Sequence, residues 1–156
     1  MEIRDISDQS EDLPILEAIN EEAIPEIQRC ALSDMLATGA KVWCIDYNRE
    51  PAGFMAIRHY RDLVYLAYFA IRKDLRSKGI GGRAVRELIR YYPDKQVVVE
   101  YEAPDSPENY NAVKRFYLRN GFLKQDGIPT TTIRSLKSPA HGRISIQKNS
   151  LLLRKT

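Results

Sequence analysis

From Leu63 to Ile71 the chain is a near-continuous apolar and aromatic run. It ends at Lys73-Asp74, then reads Arg76-Ser77-Lys78-Gly79-Ile80-Gly81-Gly82 and passes straight into an amphipathic stretch. A short run with no polar alternation predicts a strand buried on both faces. In the stretch that follows, Ile80, Ala84, Val85, Leu88 and Ile89 form one apolar stripe, with Arg83, Arg86, Glu87 and Arg90 opposite. That spacing predicts a helix over 80–92, stopped by Pro93. A buried strand feeding a helix through a glycine turn needs a sheet with helical cover, which sets the class of fold before the rest of the chain is read.

The remaining segments extend that unit. Glu2 to Ile6 alternates weakly and can open a sheet. Leu13, Leu16, Ile19, Ala23 and Ile27 recur at helical spacing, with Pro14 suited to a first turn. Pro25 splits this region, and a second helix is expected from Pro25 to about Ala37, closed by Gly39. Val42 to Tyr47 and Ala52 to Tyr60 flank the turn chemistry of Asn48-Arg49-Glu50-Pro51 and predict a hairpin. Gln96 to Tyr101 is a β-branched strand. Glu108 to Asn120 is a helix, with Ser106 as a cap and Gly121 as its stop. Phe122 re-enters the sheet. A short strand is expected over Thr131 to Arg134 and a last one over Ile144 to Arg154. The order β-α-α-β-β-β-α-β-α-β-β predicts a mixed α/β fold, a mostly antiparallel sheet of six or seven strands with helices on both faces. With no internal repeat and no linker, residues 1–156 read as one domain.

Composition narrows the function classes. Of the 156 residues 44% are apolar and 29% charged, as in an ordinary globular protein. No stretch approaches the roughly 20 apolar residues of a membrane span, and the charged start Met1-Glu2-Ile3-Arg4-Asp5 lacks the apolar core of a secretion signal. The expectation is a cytoplasmic protein with no membrane partner. Two cysteines, Cys30 and Cys44, without CxxC spacing, and only two histidines argue against zinc, so no metal is expected. A net charge of +3 and the lack of nucleic-acid-binding motifs argue against a nucleic-acid partner. The charge is unevenly spread: residues 72–90 are basic, which suits either an anionic ligand or a solvated helix face.

The glycine segment carries the chemistry. Glycines between a strand and a helix let the backbone approach a ligand without a Cβ clash. The N–H groups of the helix's first turn point to the same place, and its dipole favours negative charge there. Arg76 and Lys78 add cationic donors. A P-loop, GxxxxGK followed by Ser or Thr, is absent, and so is the GxGxxG glycine triplet of dinucleotide folds. On the glycines alone, a pyrophosphate cradle and a plain turn into a helix stand as equal readings.

Two motifs decide between them. Arg76-x-x-Gly79-x-Gly81 after a strand resembles the acetyl-CoA motif of the GNAT superfamily, Arg or Gln, two residues, Gly, one residue, Gly or Ala. Tyr68 to Leu75 resembles that family's fourth strand and the loop after it. Downstream, Arg115-Phe116-Tyr117-Leu118-Arg119-Asn120-Gly121-Phe122 resembles its second signature, an aromatic-Tyr-x-x-x-Gly-Phe that closes a helix. The resemblance covers about Ala52 to Phe122.

The resemblance implies acetyl-CoA as cosubstrate and an amine as acceptor. It implies that the pantetheine arm lies where two neighbouring strands splay, against the backbone of Phe69, Ala70 and Ile71, in the manner of an added strand. It implies that Arg76, Ser77, Lys78, Gly79, Ile80, Gly81 and Gly82 hold the pyrophosphate, and that Tyr117 protonates the departing thiolate as a general acid, its phenol being protonated at neutral pH. Glu100, with Glu102 two residues on, is the candidate base that accepts the amine proton. Many relatives carry an Asn seven residues before the tyrosine. Here Tyr110 stands there, flanked by Asn109 and Asn111, either of which could serve, and Asn111 is the substitute candidate for a cofactor contact. The acidic region of the first two helices and the loop joining them (Glu17, Glu21, Glu22, Glu26) favours a cationic amine, whereas Arg134, Lys137, His141 and Arg143 favour an anionic one, so the acceptor stays open. So does the oligomeric state, monomer or homodimer. A non-catalytic acyl-CoA sensor or structural subunit is the alternative reading.

Overall fold

A computed structural model describes residues 1–101, 107–124 and 131–135. Strand β1 (Glu2–Ile6) leads to helix α1 (Leu13–Ala23), a 3-10 turn (Glu26–Gln28) and helix α2 (Leu32–Ala37). Strands β2 (Lys41–Tyr47), β3 (Glu50–His59) and β4 (Leu63–Ile71) follow as a meander. A 3-10 turn (Lys73–Leu75), helix α3 (Ile80–Tyr91), strand β5 (Gln96–Tyr101), helix α4 (Pro107–Arg119) and strands β6 (Phe122–Lys124) and β7 (Thr131–Ser135) complete the described residues. The sheet order is β1-β2-β3-β4-β5-β7-β6. Every pairing is antiparallel except β4 with β5. The fold is the mixed, mostly antiparallel α/β arrangement expected, with the α3 crossover joining the parallel pair. The strand expected over Ile144 to Arg154 lies outside the described residues.

Two apolar clusters sandwich the sheet. On one face Trp43, Ile45, Met55, Ile57, Val97 and Val99 pack under Ile80, Ala84, Val85 and Leu88 of α3 and Tyr117 of α4. On the other, Val42, Cys44, Phe54 and Ala56 pack against Leu13, Leu16 and Ile19 of α1 and Leu32 and Met35 of α2. The period-two alternation of β2 and β3 deals their side chains to the two faces in turn. The β2–β3 turn places Asn48 at φ 53 and Arg49 at φ 65, the pair of positive dihedrals that matches the twist of a hairpin.

The expected helix from Pro25 to Ala37 is instead broken. Pro25 precedes the 3-10 turn, Arg29 is extended, and the α-helix begins only at Leu32. Side chains hold the connection open: Asn20 Nδ2 donates to the Cys30 carbonyl at 2.9 Å, and Arg29 Nη1 to the Glu21 carbonyl at 3.1 Å. Strand β4 also departs from expectation. Its ends are buried, but Tyr65, Ala67, Tyr68 and Phe69 are only half-buried. Among the described residues no helix is long and apolar enough to cross a membrane, and no group of three His, Cys, Asp or Glu side chains is placed to hold a metal.

Candidate functional site

The half-burial of β4 has its origin in strand pairing. The parallel ladder runs from Leu63↔Gln96 to Leu66↔Val99 and stops. At that level the register of β3 on β4 slips, Ile57 facing Leu66 and Ala56 facing Tyr68, so Ala67 is an inserted residue. Such a bulge bends its strand and raises the local twist. It also reverses side-chain parity: Val64 and Leu66 point to the α3 face before it, and Phe69 and Ile71 do so after it. The second half of β4 is thereby left without β5 as a neighbour, and a wedge opens between the two strands.

Backbone direction in the wedge follows from the antiparallel alternation. Arg72 N–H donates to the Ala52 carbonyl at 2.7 Å. Two residues back, Ala70 faces β3 as well, which leaves the N–H and C=O groups of Phe69 and Ile71 directed into the wedge. The Ile71 carbonyl is met there by Arg76 Nε at 2.9 Å. Of the three residues read from sequence as a backbone rail, two present their groups to the opening and Ala70 spends its own on β3.

The wedge opens onto a cleft of about 980 Å³ between the start of α3 and the end of α4. Ser77 at φ 62 and Gly79 at φ 77 alternate with residues of negative φ, a pattern that turns successive N–H groups toward one concavity. The first-turn amides of α3 have no intrahelical acceptor and face the same side. Arg76, Ser77, Gly79, Ile80, Gly81 and Gly82 line the cleft, and Lys78 lies exposed beside it. A Cβ on Gly81 would stand 3.4 Å from Phe69 Cζ and 3.5 Å from the Phe116 ring, so the bare backbone there keeps the floor open. Among the described residues, Arg76, Arg86 and Arg119 are the cations that line the cleft, and no aspartate or glutamate does. A concavity of free amides ringed by guanidinium groups fits a diphosphate.

Tyr117 also lines the cleft. Its ring is buried and set edge-on to Phe116 (5.1 Å) and Phe122 (5.3 Å), which fixes its position. The Gly121 stop at φ 89 ends α4 and lets Phe122 turn back under it. Glu100 is the first β5 residue past the end of the ladder. Val97 and Val99 belong to the α3 face, so Glu100 points to the opposite one, where Tyr65 Oη donates to its Oε2 at 3.5 Å. Tyr117 and Glu100 therefore lie on opposite faces of the sheet, Glu100 at the point where the β4–β5 ladder ends.

Asn111 is exposed on α4 and does not line the cleft, and Glu102 lies outside the described residues. The asparagine that does line it is Asn120, whose Oδ1 accepts from Arg86 Nη1 at 2.6 Å. Sequence reading placed Arg86 on the polar face of its helix and Asn120 at a helix end. Helical spacing puts Arg86 one turn beyond Gly82, on the cleft side, but only the packing of α3 against α4 brings in Asn120.

The chain matches the model of the acetyltransferase (GNAT) family over residues 6–122. No curated protein matches it in sequence. Among solved structures it is similar to a protein from Bacteroides thetaiotaomicron assigned to the GNAT family, with a TM-score of 0.74 at 18% identity, covering 99% of this chain and 94% of that one. It is similar to the ribosomal-protein-S18-alanine N-acetyltransferase of Escherichia coli, with a TM-score of 0.70 at 16% identity and coverage of 93% and 99%. A GNAT family acetyltransferase from Elizabethkingia anophelis with acetyl-CoA bound gives a TM-score of 0.58 at 16% identity, with coverage of 85% and 94%. At these identities the likeness to the solved structures is one of fold.

Proposed function

The chain belongs to the GNAT acetyltransferase family and is an acyltransferase, and on that premise we propose that it moves the acetyl group of acetyl-CoA directly to a primary amine of a small molecule, a peptide or a protein, as a single cytoplasmic domain. The observation that carries the reading is the wedge at the end of the β4–β5 ladder, which opens at one end onto the amide-lined cleft and at the other beside Glu100.

In this reading the amides of residues 76–82 hold the diphosphate, with Arg76 adding charge. The outward groups of Phe69 and Ile71 hold the pantetheine arm as β5 would have held them. Acetyl-CoA supplies an activated acyl group. The chain's own residues then handle the protons. The amine must be neutral to attack, so Glu100 accepts a proton from it, directly or through water. As the new C–N bond forms and the C–S bond breaks, the Tyr117 hydroxyl gives its proton to the sulfur. A buried, packed tyrosine suits this step because its ring need not reorganise during the reaction.

Calorimetric titration with acetyl-CoA, with ATP as control, tests the cofactor assignment. Thiol release over an amine panel tests the activity. Saturable acetyl-CoA binding and amine-dependent thiol release are expected. No acetyl-CoA binding would overturn the reading. Binding without turnover on any amine would replace it with an acyl-CoA sensor.

A further inference from the structure

Arg86 of α3 and Asn120 at the end of α4 form a side-chain bridge between the two helices. Arg86 lies one turn after Gly82, and side chains on a helix lean toward its N-terminus, so the guanidinium returns over the first turn of α3. There Nη1 donates to Asn120 Oδ1 at 2.6 Å. The Asn120 amide is itself oriented by Nδ2 donating to the Phe116 carbonyl at 2.7 Å. The pair passes so close to Gly82 that a Cβ on it would stand 3.0 Å from Asn120 Oδ1 and 3.1 Å from Arg86 Nη1. Gly82 thus makes room for the bridge.

The partner is chemically telling. A neutral amide fixes the guanidinium without neutralising it. Among the described residues no ion pair involves Arg86, and no carboxylate lines the cleft it faces. By contrast Arg90, one turn further along the same helix, pairs with Glu87 at 2.9 Å. An arginine held in one orientation with its charge unspent meets an anion at a low entropic cost, and its remaining N–H groups suit phosphate oxygens.

We propose that Arg86, aimed by Asn120 across Gly82, is a phosphate-binding cation of this cleft. It would set affinity for the phosphate-bearing end of CoA, either the diphosphate or the 3′-phosphate. The proposal rests on the acetyl-CoA reading above.

The test is calorimetric binding of CoA and of 3′-dephospho-CoA to the unaltered chain, Arg86→Gln and Arg86→Lys, at low and high salt. Arg86→Gln should bind CoA about tenfold more weakly, the size of one charge-assisted hydrogen bond. Its affinity should depend less on salt, and its melting temperature should be unchanged. Arg86→Lys should recover part of the affinity. A loss shared by both ligands assigns Arg86 to the diphosphate, and a loss confined to CoA assigns it to the 3′-phosphate. If Arg86→Gln binds CoA as the parent does, or weakens with the parent's salt dependence intact, the bridge is only an interhelical clasp and the proposal falls. Failure of the unaltered chain to bind CoA would instead overturn the acetyl-CoA reading itself.

Discussion

Gly53 on β3 offers a sharp test of how the wedge is built. A Cβ at this position would stand 2.3 Å from the Ala70 carbonyl oxygen and 2.8 Å from Ile71 Cδ1. The first neighbour is backbone, so no side-chain rotation relieves it. To reach an ordinary contact of 3.4 Å, β4 must retreat by about 1 Å. Ala70 is paired to β3 at this level and Ile71 faces the wedge, so the retreat breaks ladder hydrogen bonds and displaces that edge of the wedge together. Overpacking of this kind costs about 1–3 kcal/mol, and with a backbone neighbour we place Gly53→Ala near the top of that range, about 3 kcal/mol. For a chain of this size that lowers the melting temperature by roughly 10 °C. Gly79→Ala is the matched control. It meets no atom within 4 Å but sits at φ 77, so it costs only left-handed strain, about 1 kcal/mol, or roughly 3 °C. Thermal unfolding followed by circular dichroism reads both. A Gly53→Ala melting temperature within about 2 °C of the parent's, or a larger loss in Gly79→Ala, would refute the claim that close approach to β4 is why position 53 is glycine.

Gly79→Glu should abolish acetyl-CoA binding in calorimetry while leaving the fold intact by circular dichroism, because it places a carboxylate among amides aimed at phosphate. Intact affinity would remove the loop from the site. Tyr117→Phe should bind acetyl-CoA nearly as the parent does but turn over about 10²-fold more slowly, the scale of a lost general acid, and unchanged turnover would remove Tyr117 from the chemistry. Acid stability should follow two groups. The Arg4 guanidinium, bonded to Asp46, holds that carboxyl below the ordinary carboxylate range. Its stabilisation is therefore present above about pH 4 and lost as pH falls through the lowered value, and Asp46→Asn should flatten that loss. Burial, with Lys41 and Lys95 nearby, lowers the pKa of His59, whose Nε2 meets Tyr92 Oη. The folded chain prefers this imidazole neutral, so stability should decline as pH drops below about 6.5, and His59→Gln should remove that slope. Melting temperatures between pH 3 and 8 would show either effect.

Neighbours along the chain decide one part of this protein. The apolar run of β4, the stripe of α3, the turn at Asn48-Arg49 and the Gly121 stop are local signals, and local sterics and periodicity decide them. The strand–glycine–helix segment and the Tyr117 signature are likewise contiguous, so the glycine turn and the family are legible in the sequence. Tertiary structure alone decided where long-range pairing ends. Nothing around Ala67 marks it as a bulge; it is one only in the pairing of β3 on β4, at the level where the ladder to β5 ends and the wedge begins. The same holds for the helix expected from Pro25, which yields to Asn20 and Arg29 reaching across from other turns. It holds for Arg86 and Asn120, far apart in sequence and joined only where α3 and α4 pack on the sheet. And it holds for Tyr117 and Glu100, whose placement on opposite faces depends on how the sheet is assembled, which no spacing along the chain encodes.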